Sequence, residues 1–271
     1  MSLALEAHRT STAPVITIFV RHSEDCKYKG DEFCRRCEEP TDDLLIGTSD
    51  GGHSFVQAKR TLSLSSAPDS EFASVMNQFV RRYLSVLNLS GSRPWNRRLD
   101  PDRDRLVLVT TTEASSSIRV HLATVLGRAR GLVAGQPLSD AATNQSERDA
   151  LDIMSSHIRL VWAAAVKHDA NEADIMRILK LMYVTVLDAE AGGAAEVLAL
   201  DLLALAIVGH QDQATSAWSR IIAIVADLSQ HRSGIDSSAL RAMLQPTIPL
   251  KIAPSYRDDV EKLKKHSKGH P

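Results

Sequence analysis

The spacing of apolar positions differs between the two halves of the chain, and that difference predicts two kinds of architecture. In the first half, short strand-like runs alternate with helical stretches. Val15-Ile16-Thr17-Ile18-Phe19-Val20 is rich in β-branched residues and reads as a strand. Leu44-Leu45-Ile46 is a second short apolar run, and Ser54–Arg60 reads as the strand that returns from it. Between them lies Asp50-Gly51-Gly52, where glycine supplies the positive φ that a hairpin turn needs. From Ser70 to about Leu87, Phe72, Val75, Met76, Phe79, Val80, Tyr83 and Leu84 recur at helical spacing and form one apolar face. A loop over 90–105 carries Gly91, Pro94 and Pro101. Leu106-Val107-Leu108-Val109 follows without a polar residue on either face, as a strand inside a mixed sheet requires. Ser115–Arg130 is helical again, with Ile118, Leu122, Val125 and Leu126 on one side.

Residues 140–245 read as all-helical. Ser146 and Asp149 resemble a capping box ahead of Leu151, Met154, Ile158, Val161 and Trp162. Asn171 can cap a second helix through Ile175, Leu179, Met182 and Val186. Gly192-Gly193 separates it from a nearly all-apolar helix, Ala194–Val208, expected to be central, and a fourth helix runs from about Gln213 to Gln230. The expected divisions are an N-terminal strand and cysteine-bearing segment (1–40), an α/β domain (41–135), a helical domain (136–250) and a basic, polar tail (251–271). The fold class is therefore α/β, a mixed sheet with flanking helices, followed by an all-α part. No repeat of solenoid period is present.

Composition narrows the class further. The 271 residues are 44% apolar and 24% charged, a globular profile. No run of about 18 uncharged apolar residues exists, so no membrane span is expected. The stretch MSLALEAHRTSTAPV has an early glutamate and no apolar centre, and so does not read as a secretory signal. The three cysteines cannot make a disulfide framework, which makes a cytoplasmic location the default expectation.

Candidate chemistry concentrates on the hairpin. Asp42-Asp43 precedes the first of its strands, and Gln57-x-Lys59 lies on the second. Strand alternation puts Gln57 and Lys59 on one face and points Ala58 away. A carboxylate and a second oxygen donor on neighbouring strands can hold Mg²⁺, and a lysine beside them can orient the attacking water and stabilise phosphoryl charge. The alternative is a hairpin with a solvated polar face.

The order strand, hairpin, strand with Q-x-K, helix, strand, helix resembles the core of the PD-(D/E)xK restriction-endonuclease-like superfamily. Thr41–Arg60, TDDLLIGTSDGGHSFVQAKR, looks like the nuclease-type domain at the N-terminus of bacterial anti-phage effectors. These include CD-NTase-associated DNA endonucleases and NACHT-type STAND ATPases. SEFASVMNQFVRRYL, DPDRDRLVLVTT and TNQSERDALDIMSSHIR resemble that family's continuation, so the likeness covers about residues 41–257. It implies Asp43 as the metal carboxylate, with Asp42 the lesser choice, Gln57 as second ligand or substrate contact, and Lys59 as catalytic lysine. Two departures stand out. Gln57 replaces the usual acid, and residues 1–40 do not look like the helix with which the family begins.

A second constellation is His22-x3-Cys26-x7-Cys34-x2-Cys37, three thiols and an imidazole that could bind Zn²⁺ or stay unligated in a loop. VITIFVRHSEDCKYKGDEFCRRC resembles the extreme N-terminus of bacterial tyrosine-type recombinases, but that family's catalytic Arg, His and Tyr have no counterpart downstream. Arg21-His22-Ser23 resembles the R-H-G of histidine phosphatases, with serine in place of the glycine and no second Arg/His pair. There is no G-x4-G-K-[ST], hence no P-loop. His157, His168, His210 and His231 read as surface or cap residues, and Trp162 and Trp218 as core anchors.

Charge is unevenly spread. The totals are 32 basic and 33 acidic residues, but residues 81–130 hold ten arginines against four acids, and residues 131–232 hold seven bases against thirteen acids. The arginine-rich part suits a double-stranded DNA partner, with Arg60, Arg81, Arg82, Arg97 and Arg98 as candidate contacts. The acidic helical part suits self-association or contact with a sensor or ATPase protein. Three readings stay open: a Mg²⁺-dependent DNA endonuclease, a non-catalytic adapter that keeps the fold, and a zinc-binding, DNA-associated module.

Overall fold

The computed structural model describes residues 15–20 and 211 by their backbone and, with side chains, 43–87, 95–133, 135–188, 190, 192–205, 212–231, 233–246 and 248. Its strands are β1 (Val15–Val20), β2 (Leu44–Thr48), β3 (His53–Lys59), β4 (Arg105–Thr110), β5 (Met182–Val186) and β6 (Gly234–Asp236). The helices are α1 (Glu71–Ser85), α2 (Ala123–Gly131), α3 (Gln145–Val166), α4 (Glu172–Leu181), α5 (Ala194–Leu203), α6 (Gln211–Gln230) and α7 (Ser237–Leu244). A π-helical turn, Ser117–Leu122, leads into α2. The strands form one mixed sheet in the order β5-β4-β3-β2-β1-β6. β1, β2 and β3 are an antiparallel meander, β4 is parallel to β3, β5 is parallel to β4, and β6 is antiparallel to β1.

The hairpin between β2 and β3 closes as its turn residues predict. Gly51 has φ +76°, and a Cβ on Gly52 would lie 2.5 Å from the carbonyl oxygen of Arg103, so both positions need glycine. Asp50 accepts from the Thr48 hydroxyl at 2.5 Å and from the Gly52 N–H at 2.9 Å, which fixes the turn. The register pairs Leu44 with Val56 and Leu45 with Phe55, so Asp43, one residue earlier, stands opposite Gln57.

Alternation along the strands divides the apolar residues between two faces. Phe55, Leu106, Leu108 and Met182 join Phe72, Met76 and Phe79 of α1 and the inner faces of α2, α3 and α4 in the main core. Ile46, Val56, Val107 and Val109 face the other way, toward Leu187 and Ala195. A separate cluster joins α5, α6, α7 and Ile235 of β6. Ser70 caps α1 by accepting from the Ala73 N–H at 3.1 Å.

Four expectations need correction. The stretch 136–250 is not all-helical and is not separate from the sheet: α4 stops at Leu181, and Met182–Val186 becomes β5 alongside β4. Met182 and Val186 fit helical spacing, but Tyr-Val-Thr-Val has strong β preference, and β4 offers an open ladder. α3 and α4 pack in the same core as α1, so residue 135 is no structural boundary. The cap of α3 is Asn144, which accepts from the Glu147 N–H at 2.9 Å, and Ser146 already lies inside the helix. Finally, α5 is peripheral. It buries Ala199 and Leu203 but leaves Val197 and Leu198 exposed.

Candidate functional site

β3, β4 and β5 run in the same direction, so their carboxyl ends gather at one edge of the sheet, together with the start of β2. In open α/β sheets this is the edge where ligands bind. Asp43, Gln57 and Lys59 all sit there. Gln57 is 3% exposed and donates through Nε2 to Asp43 Oδ2 at 2.5 Å, and the Ala58 backbone N–H donates to the same oxygen at 2.6 Å. A carboxylate only accepts, so the amide must turn its nitrogen toward Asp43 and its oxygen away. That oxygen, Gln57 Oε1, is buried and has no hydrogen-bond partner among the described residues. A buried acceptor of this kind costs free energy unless a water molecule or a ligand meets it.

Lys59 shares the Gln57 face, about 7 Å further along the strand. Its side chain is half-buried and makes no hydrogen bond or ion pair among the described residues. The structure therefore brings Asp43 and Gln57 into contact and sets Lys59 beside them on one face. Asp42, His22, Cys26, Cys34 and Cys37 lie outside the described residues, so the zinc expectation falls there too. Among the described residues there is no group of three or more His, Cys, Asp or Glu side chains placed to hold a metal. Among the described residues the donors brought into contact here are Asp43 and Gln57, one carboxylate and one amide.

The candidate DNA-contacting arginines scatter. Arg60 is at the site edge and exposed, paired with Glu113 and Glu190. Arg81 lies on α1 and donates from Nε to Asn77 Oδ1 at 2.6 Å. Arg98 is exposed in the loop before β4. Arg82 is not placed to touch DNA. It is fully buried, donates to the Trp95 carbonyl at 2.5 Å and lies 4.2 Å over the Phe55 ring. Arg97 is also committed elsewhere, to Asp104 at the opposite end of β3, roughly 20 Å from Lys59.

That opposite end carries a buried polar cluster with no counterpart in the sequence reading. Asp104 is fully buried and accepts from Arg97 Nη1 at 2.6 Å, Arg97 Nη2 at 2.8 Å, the His53 N–H at 2.9 Å and the Asp100 N–H at 2.7 Å. His53 stands against Phe55 and Trp95, with Nδ1 3.8 Å from Asp104. Burial, with Arg97, Arg82 and Arg103 nearby, lowers its pKa to about 4 against the upward pull of Asp104. The unfolded chain thus binds a proton between pH 6.5 and 4 that the folded chain does not. Stability from His53 is complete above about pH 6.5 and is lost as pH falls toward 4. Thermal melting of wild type across this window is expected to fall more steeply than melting of His53→Gln, and equal slopes would remove His53 as the cause.

His157, expected at the surface, is instead buried, with Nε2 2.7 Å from the Ser65 carbonyl and its ring edge-on to Phe72. Trp162 is a core anchor as expected. No helix among the described residues is long and apolar enough to cross a membrane. No protein-family model matches the chain, and no curated protein or solved structure matches it significantly.

Proposed function

We propose that this chain is a metal-dependent DNA endonuclease of the PD-(D/E)xK type. The observation that carries the reading is the Asp43–Gln57 pair across β2 and β3, with Gln57 Oε1 buried and without a partner among the described residues. The topology supports it, because an antiparallel meander, a helix and a fourth strand parallel to the third are the core of that superfamily. The donors also fit the ion. A carboxylate and an amide oxygen are hard ligands of the kind Mg²⁺ prefers.

Asp43 and Gln57 would hold the ion, which when bound lowers the pKa of a water and neutralises phosphodiester charge. Gln57 orients its oxygen through the hydrogen bond that its own nitrogen gives Asp43. Ala58 N–H fixes the carboxylate from the backbone, so the pair is positioned before any ligand arrives. Lys59 places a cation beside the attacking oxygen and the charge that develops on the phosphate. The wider setting in this reading is a bacterial anti-phage effector, with the helical part contacting a second copy or a sensor or ATPase protein.

One observation favours a second reading. Asp43 Oδ2 already takes two donors, so the pair could serve as a clamp between β2 and β3 in a non-catalytic adapter. Supercoiled plasmid separates the two. The nuclease reading expects nicked and linear products with Mg²⁺ or Mn²⁺ and none with chelator; intact plasmid in every arm favours the adapter.

A further inference from the structure

Arg60 directly follows Lys59 and brings a further cation to the site edge, yet it is already occupied. Its Nε lies 3.2 Å from Glu113 Oε2, and its Nη2 lies 3.0 Å from Glu113 Oε1 and 3.1 Å from Glu190 Oε1. The two acids come from different loops, and each loop is built to hold them. Thr111 donates its hydroxyl to the Arg60 carbonyl at 2.8 Å and accepts the Glu113 N–H at 3.2 Å. On the other side, Gly193 N–H donates to the Glu190 carbonyl at 2.8 Å, and Asp188 accepts from Ala194 N–H at 3.2 Å. A Cβ on Gly193 would stand 2.6 Å from the Asp188 carbonyl, so this turn requires glycine.

Among the described residues the edge thus sets Lys59 and Arg60 close to Asp43, Glu113 and Glu190, so that acids stand beside the cations that a polyanion would meet. We propose that Glu113 and Glu190 form an acidic clasp on Arg60, and that a DNA phosphate docks by displacing them. The inference rests on the nuclease reading for its ligand. The Arg60 and Glu190 side chains are largely exposed and that of Glu113 partly so, and exposed ion pairs are weak and screened by salt. A displaceable contact needs both properties. The guanidinium fork that grips Glu113 through two nitrogens is equally suited to a phosphate.

The test compares wild type, Glu113→Gln/Glu190→Gln, and the same double variant with Arg60→Gln added. A fluorescent DNA duplex is titrated in Ca²⁺, which prevents cleavage, with melting curves confirming that all three proteins fold. The double variant is expected to bind about 10-fold tighter at ~0.1 M salt, with a log–log salt slope steeper by about one. Adding Arg60→Gln is expected to remove both gains. Equal affinity and slope in wild type and double variant overturn the clasp and leave the nuclease reading standing. A gain that survives Arg60→Gln also overturns it, as does absence of binding by the double variant. Tighter binding by the double variant with no cleavage in Mg²⁺ keeps the clasp and overturns the nuclease reading.

Discussion

Lys59→Ala is expected to lower Mg²⁺-dependent nicking of supercoiled plasmid by at least about 100-fold while leaving the protein folded. The size follows from removing a cation from a developing phosphoryl charge, a loss of about 10²–10³ in rate for groups that stabilise such charge. The fold is spared because Lys59 ends β3 and makes no hydrogen bond or ion pair among the described residues. DNA affinity should change only modestly, since one phosphate contact is lost among several. Lys59→Arg keeps the charge but spreads it over a planar fork, so partial recovery is expected. Initial nicking rates at saturating DNA measure the effect, and a loss below about 10-fold would remove Lys59 from the chemistry.

Asp104→Ala is expected to destabilise the fold by about 3–5 kcal/mol, the range for breaking a buried charged pair. The carboxylate satisfies four donors at once, two from Arg97 and two from the backbone. Its removal leaves the His53 and Asp100 N–H groups without acceptors in a site closed to water, each at about 1–3 kcal/mol. It also frees Arg97 from the β2–β3 turn, where Nη2 donates to the Gly51 carbonyl at 2.6 Å. A typical domain has about 5–15 kcal/mol in total, so this one change takes a large share. Denaturant unfolding should show the midpoint falling sharply with unchanged slope, and melting should drop by roughly 10 °C. A change under about 1 kcal/mol would mean that Asp104 is solvated and the cluster is peripheral.

Much of the fold was legible because local signals agreed with the tertiary setting. The hairpin was marked by Asp50-Gly51-Gly52, and α1 by seven apolar residues on one face with Ser70 ahead of them. β5 was hidden because Ile175, Leu179, Met182 and Val186 also satisfy a helical period, and only the open edge of β4 decides between the two. Asn144 and Ser146 are both capping residue types two positions apart, and only the backbone, extended at Asn144 and helical from Gln145, distinguishes them. At the site, the pairing of Asp43 with Gln57 follows from strand alternation and register, both readable from spacing. The clasp was not readable, since Glu113 and Glu190 lie far from Arg60 in sequence and meet it only through β4 and β5. Arg82 and Arg97 show the limit of counting charge. A local excess of arginine looked like a DNA surface, yet these two serve the interior, stacked on Phe55 and paired with Asp104.

The most direct measurement is an electron paramagnetic resonance titration of Mn²⁺ with wild type and Asp43→Ala, without DNA. The free-ion signal is expected to disappear at about one ion per wild-type chain. Binding should be at least about 10-fold weaker in Asp43→Ala, with both proteins equally folded. Equal binding by the two, or none by wild type, would contradict the assignment of Asp43 and the Gln57 oxygen as a metal site.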